Sequence, residues 1–202
     1  MSSEHHVAAA HLAKVNAELW ALRKRVGDPT IPQPKCSAFE SLARSIVFQQ
    51  LNGTAASTIW RRVANAAGSR VSPQSLAALS DEQLRACGLS AGKLRALRDL
   101  CEHAPRLKLS SLHRLTDDEI IQRLVAVRGI GVWTAHMFLM FHLRRLDVWP
   151  TTDLGVREGY RRLYRLSERP SDRELLPLGE CFRPYRSVAA WYMWRAVEAL
   201  PP

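Results

Sequence analysis

Between Leu124 and Leu139 the chain reads LVAVRGIGVWTAHMFL, sixteen residues without one acidic side chain. Two apolar stretches of helical spacing flank Gly129-Ile130-Gly131. Glycines reach backbone angles closed to other residues and leave no side chain between amides and a ligand. A helix starting at Val132 offers free N–H groups and a partial positive charge, so the segment has the makings of a phosphate seat. Gly-x-Gly alone is a weak signal, because a tight interhelical turn has the same composition. Asp153 follows fourteen residues after Leu139, inside Trp149-Pro150-Thr151-Thr152-Asp153. A fixed carboxylate there can stabilise developing positive charge, or orient and deprotonate a water. It can equally cap the helix that begins at that point. Met137, one helical turn after Trp133, shares its side of the helix.

Apolar positions three and four apart place these residues on helices almost throughout, and no stretch alternates with period two long enough to demand a sheet. Helices are expected over Val7–Val26, Phe39–Phe48, Ala55–Ala67, Ala91–Ala104, Val132–Leu143, from near Asp153, and over about Pro184–Leu200. Gly27, Pro29, Pro32 and Pro34 break the first from the second. Ser80 with Gln83, and Thr116 with Glu119, have capping-box spacing. The expected architecture is all-α, with about ten short helices.

At 202 residues the chain can bury one substantial core shared by two small lobes. Its balance is basic, with 29 Lys and Arg against 19 Asp and Glu and a net charge of +10. That favours a polyanionic partner, although a basic proteome produces the same excess. Cys36, Cys87, Cys101 and Cys181 are too far apart for a zinc knuckle or a compact iron–sulfur loop, and are expected to be reduced. No apolar run reaches the roughly twenty residues of a membrane span, and the N-terminal residues lack the order of a secretory signal. His5 and His6 are expected on a frayed, solvated terminus.

LVAVRGIGVWTA resembles the helix-hairpin-helix of the DNA glycosylase superfamily, and the chain as a whole resembles its alkylation-repair branch, the bacterial 3-methyladenine DNA glycosylase II type. Three further blocks carry the resemblance: FESLARSIVFQQL (39–51), DVWPTTDLGVR (147–157) and RPYRSVAAWYMW (183–194). The resemblance implies a two-lobed all-α fold with the active-site cleft between lobes. Residues 1–44 and 151–202 would form one lobe, and 45–150 the other, ending in the helix-hairpin-helix at about 118–143.

It further implies a monofunctional DNA N-glycosylase for alkylated purines, chiefly 3-methyladenine with 7-methylguanine as a further candidate, that flips the damaged nucleotide from duplex DNA and leaves an abasic site. Asp153 would be the catalytic carboxylate. An alkylated purine already carries positive charge and leaves as a neutral base, so one carboxylate suffices. Trp133, Met137, Trp194 and Phe39 would line the base pocket; Gln50 or Leu51 would fill the gap in the stack. Gly129, Gly131, Val132, Arg128, Arg157 and Arg186 would hold phosphates. Backbone carbonyls of Val125, Val127 and Ile130 would hold a structural Na+ or K+, with no other cofactor required. Superfamily members that also nick the strand carry a Schiff-base lysine where this chain has Trp133, and an indole has no basic amine. With only Cys181 beyond Cys101, the C-terminal iron–sulfur cluster of some members is not expected.

The partners implied are double-stranded DNA containing alkylated bases and downstream abasic-site repair enzymes reached by hand-off. The chain would act as a monomer in the bacterial cytoplasm, at the nucleoid and away from membranes. It departs from the family pattern at Arg128, where proline is common, at Met137, where some relatives have tyrosine, and at Thr152, where another acid is frequent. The N-terminal mixed domain of larger members is expected to be missing. Two alternatives stay open: a glycosylase for another lesion (ethenoadenine, an oxidised base or uracil), and a non-catalytic helix-hairpin-helix DNA-binding module.

Overall fold

The computed structural model describes residues 3–68 and 70–201. The all-α expectation holds: among the described residues there are twelve α-helices, two short 3-10 turns and no strand. The helices are α1 (Ser3–Val15), α2 (Ala17–Val26), α3 (Ala38–Phe48), α4 (Gly53–Ala66), α5 (Pro73–Ala77), α6 (Asp81–Ala86), α7 (Ala91–Leu107), α8 (Asp117–Val125), α9 (Val132–Phe141), α10 (Leu154–Leu163), α11 (Asp172–Leu178) and α12 (Arg186–Ala199). Both expected capping boxes form, Ser80 with Gln83 and Thr116 with Glu119, each satisfying amide donors that the helix itself leaves unpaired. A cap of this kind typically contributes about 1 kcal/mol.

Two local expectations need correction. The single helix over Val7–Val26 is two helices, because Asn16 leaves helical geometry and its side chain accepts the Leu19 N–H at the start of α2. The same side chain donates to the Tyr164 hydroxyl at 2.8 Å. The apolar stripe of Leu12, Leu19 and Leu22 runs through this break, so periodicity could not reveal it. The N-terminal segment is also helix, not frayed chain: His5 is only 3% exposed, and its burial lowers the imidazole pKa. His6 meets the Asp28 carboxylate.

Backbone contacts divide the chain into two compact units, Met1–Gln33 with Leu139–Pro202, and Pro34–Phe138. The expected lobe boundaries, after 44 and after 150, lie further along the chain. Residues 38–48 join the second unit because α3 packs on α4 and α7. Residues 144–153 join the first because hydrogen bonds tie them to Arg186 and Ser187 of α12 and to Leu175 of α11.

In the first unit the tightest helix pair is α10 with α12. Gly155 and Gly159, four residues apart on one face of α10, make that approach possible. A Cβ on Gly159 would overlap the backbone carbonyl of Met193, and one on Gly155 would come within 2.8 Å of Trp194 Cδ1. Tyr192 closes the same core from α12, fully buried, with its hydroxyl donating to the Gly27 carbonyl at 3.2 Å. In the second unit α7 is the hub, packing against α3, α5 and α6. Its Leu94, Leu97 and Leu100 are buried, each such side chain contributing roughly 1.5–3 kcal/mol relative to exposure.

Candidate active site

The first unit holds the carboxylate. The Trp149–Asp153 turn reaches α10 in a defined geometry because its approach is tied down residue by residue. The Val148 N–H donates to Ser187 Oγ at 2.9 Å, and that hydroxyl donates to the Arg145 carbonyl at 2.7 Å. Trp149 is buried, with its indole N–H on the Leu175 carbonyl at 2.9 Å. Asp147 is gripped by Arg186 and Arg183, at 2.9 and 2.7 Å. The turn closes with the Asp153 N–H on the Pro150 carbonyl.

Asp153 then occupies the N-cap of α10, 9% exposed. Its Oδ1 accepts the Val156 N–H at 2.8 Å and the Trp194 indole N–H at 2.9 Å. The bland reading of Asp153 as a helix cap is thus correct as far as it goes, and compatible with a further role. The cap and the helix N-terminus hold negative charge at one defined place, and the indole locks the carboxylate rotamer. Trp194 is therefore a positioning residue for Asp153, a role that its expected place in the pocket wall did not include. Its ring stacks on Phe141, with centroids 5.8 Å apart and 23° between planes. Phe141 was missed, although 133, 137 and 141 recur every four residues along one helix.

The second unit holds the hairpin and an apolar cavity. Val127 N–H bonds to the Leu124 carbonyl, Ile130 N–H to the Val127 carbonyl, and the Gly131 carbonyl accepts the Ala135 N–H to begin α9. Asp99 Oδ2 fixes the Arg128 amide at 2.6 Å. The two glycines have different reasons to be there. Gly129 sits at φ +81°, and a Cβ on it would come 2.9 Å from the Ala96 Cβ, so the fold requires glycine. A Cβ on Gly131 would meet nothing within 4 Å. The fold itself makes no steric demand for glycine there.

Gln50, Trp133 and Met137 come together around a cavity of about 430 Å³, joined by Ser45, Phe48 and Thr134, which the sequence did not flag. Trp133 is 44% exposed. Leu51, Val125, Val132 and Trp133 are the large apolar side chains of this unit that stay exposed among the described residues. All four lie in the loop after α3 or at the hairpin. Apolar exposure gathered in this way marks an interaction surface.

Three expected site residues are placed elsewhere. Phe39 is 5% exposed and borders a different cavity, with Cys36, Val71 and Pro105, because it faces inward from the first turn of α3. Arg186 spends its guanidinium on the side chain and carbonyl of Asp147 and on Glu180. Arg157 Nε donates to the Pro170 carbonyl at 2.7 Å, anchoring the segment before α11. Among the described residues no group of three or more His, Cys, Asp or Glu could hold a metal ion, and no helix is long and apolar enough to cross a membrane.

A glycine hairpin joining two helices defines this as a helix-hairpin-helix protein. The family model described as HhH-GPD superfamily base excision DNA repair protein matches residues 43–182, and the chain belongs to that superfamily. It is 36% identical to DNA-3-methyladenine glycosylase 1 of Schizosaccharomyces pombe, over 93% of this chain and 86% of that protein. Among solved structures it is similar to the S. pombe 3-methyladenine DNA glycosylase in complex with abasic DNA, with a TM-score of 0.82, 35% identity, and 93% and 95% of the two chains covered. It is also similar to the DNA-3-methyladenine glycosidase of Bacillus halodurans, with a TM-score of 0.83, 38% identity, and 92% and 86% covered.

Proposed function

We propose that this protein is a monofunctional DNA N-glycosylase that hydrolyses the N-glycosidic bond of alkylated purines in duplex DNA and leaves an abasic site. The observation that carries the reading is Asp153, a largely buried carboxylate held by a backbone amide and an indole N–H. As the bond to the base breaks, positive charge develops on the sugar, and a carboxylate fixed in advance stabilises it without reorganising. It also orients and deprotonates the attacking water. The base departs neutral because alkylation had already made it cationic. Trp133 supports the monofunctional part, since no amine stands there to form a Schiff base. The aromatic and thioether lining around Trp133 and Met137 suits a flat cationic base through stacking and cation–π attraction, of about 2 kcal/mol when desolvated.

In the same reading Gly129, Gly131 and the first amides of α9 hold a DNA phosphate, with Arg128 beside them. Gln50 and Leu51 enter the base stack. The carbonyls of Val125, Val127 and Ile130 fit a structural Na+ or K+: Val127 and Ile130 are buried, and the Val127 carbonyl has accepted one hydrogen bond of the two it can take. Such an ion would supply positive charge toward the phosphate. The finished product would pass to abasic-site repair enzymes, from a monomer acting in the bacterial cytoplasm.

The direct test is incubation of the protein with methylated duplex DNA. Free 3-methyladenine should appear, with strand breaks only after heat or alkali. No released methylpurine from folded protein would refute the substrate class, and spontaneous nicking would refute the monofunctional mechanism.

The phosphate seat is tested by its two glycines. Gly131→Val should melt like the wild type yet bind any duplex about ten- to a hundredfold more weakly, since losing a charge-assisted hydrogen bond removes about 1.5–3 kcal/mol. Gly129→Val should lower the melting temperature as well, since it needs φ +81° and space that Ala96 fills. The carboxylate's support is tested by Gly155→Ala. Alanine favours the helix by about 0.8–1 kcal/mol, so the fold should persist. The new methyl nonetheless arrives 2.8 Å from Trp194 Cδ1 and 3.1 Å from Asp153 Oδ1. Single-turnover base release should fall about tenfold or more, the effect of losing a hydrogen bond to a charged group.

A further inference from the structure

The loop after α3 is held in an unusual conformation by ties from other elements of its unit. Gln50 is a non-glycine residue at φ +54°, left-handed backbone that a residue with a Cβ adopts only when its surroundings insist. On one side of it, Asn52 accepts the Ala55 N–H at 2.8 Å and starts α4. On the other, the Gln49 side-chain amide donates to the Gly129 carbonyl at 2.8 Å and lies 3.4 Å from the buried Thr134 hydroxyl. Gln49 thus reaches across eighty positions of sequence to the hairpin glycine itself.

A second connection runs through α7. Lys93 Nζ donates to the Val47 carbonyl at 2.7 Å, at the end of α3. About one turn along, Ala96 packs on Gly129, and nearly a turn further Asp99 holds the Arg128 amide. The end of α3, α7 and the hairpin therefore form a closed ring, and Gln49 is the link that closes it next to Gln50.

We infer that Gln49 is a positioning residue that couples the hairpin to the wedge, so that a hairpin seated on a DNA phosphate presents Gln50 to the stack at a set height and angle. The inference rests on the glycosylase reading and adds a residue which that reading does not use. Gln49 touches no reacting atom. It transmits position, and its bond is directional: an amide N–H must meet a carbonyl oxygen. Glutamate, nearly identical in shape, would set a carboxylate against that carbonyl and break the link.

The test uses the full chain and a duplex carrying a tetrahydrofuran abasic analogue with 2-aminopurine beside it, whose fluorescence rises when the wedge unstacks it. Gln49→Ala and Gln49→Glu should keep the wild-type melting temperature and bind the duplex within about threefold, because the phosphate seat is intact. They should lose most of the fluorescence rise, and release methylpurine about tenfold more slowly in single turnovers, with the loss in rate and not in affinity. Gln50→Ala should show the same pattern, and the Gln49→Ala/Gln50→Ala double variant should be no worse than Gln50→Ala alone, since residues acting through one contact are not additive. Full fluorescence in Gln49→Glu, multiplied losses in the double variant, or a fall in melting temperature in step with the rate would each overturn the coupling. A Gln49-dependent fluorescence response from a wild type that releases no methylpurine would refute the glycosylase reading and uphold the coupling.

Discussion

Asp153→Asn is expected to abolish base release while leaving the protein folded and able to bind DNA. The substitution is clean because of how the side chain is held. Its Oδ1 accepts two hydrogen bonds, from Val156 and from Trp194, and an asparagine keeps a carbonyl oxygen that can accept both. The α10 cap survives, since asparagine caps about as well as aspartate. What disappears is the charge. Two unit charges about 4 Å apart attract by about 4 kcal/mol at an effective dielectric of about 20, which corresponds to about a thousandfold in rate. Loss of the base for the attacking water enlarges that. Single-turnover release of 3-methyladenine should therefore fall by about a thousandfold or more, with affinity for an abasic duplex unchanged or tighter, since a negative charge facing a polyanion has gone. Activity within about tenfold of the wild type would remove Asp153 from the chemistry and favour the non-catalytic reading.

Gly159→Ala should produce the largest loss of stability of any single methyl added to this chain's helix packing. Its Cβ would overlap the backbone carbonyl of Met193, and a backbone atom cannot turn aside as a side chain can. Helices α10 and α12 would have to part, and they form the tightest pair in their unit. Overpacking costs about 1–3 kcal/mol where side chains can yield. Here the cost should reach at least about 3 kcal/mol, a fall in melting temperature of roughly 6–12 °C for a protein of this size. Activity should fall too, because α10 begins at Asp153 and α12 carries Trp194. Calorimetry of the pure variant measures the first effect, and base release well below its transition the second. A variant that melts with the wild type would show that the helices can separate at no cost.

Much of this was legible in the residues. Capping boxes announce helix starts because a hydroxyl and a carboxamide or carboxylate three residues apart satisfy each other's backbone amides at a helix N-terminus. The hairpin and Asp153 were visible as candidates because glycine spacing and a carboxylate at a helix start are local features, and the resemblance, not those features, chose between a turn or cap and a site. Gly155 and Gly159 stood in the open as a small-residue pair, yet what they accommodate, the approach of α12, is forty residues away and writes nothing nearby. The division at Asn16 was hidden for the same reason: a residue that interrupts an unbroken apolar stripe shows its purpose only when Tyr164 is found beside it.

The arginines show the opposite failure. Arg186 and Arg157 carry the charge and spacing of phosphate ligands, but sequence cannot say whether a guanidinium faces solvent or is already committed to a carboxylate or a carbonyl within the fold. Phe39 failed likewise, since an aromatic residue beside a functional loop is equally suited to a pocket or a core.

By itself, the sequence determined an all-α chain with a glycine hairpin between two helices and Asp153 after it, because these rest on local periodicity, caps and backbone freedom, while the glycosylase superfamily was read from the resemblance of four blocks of residues. Only the tertiary structure decided which of the two hairpin glycines the fold requires, that Trp194 holds Asp153, and that Gln49 ties the loop after α3 to the hairpin. Each of those depends on two atoms brought within hydrogen-bond or van der Waals reach across many residues of chain, and packing alone arranges that.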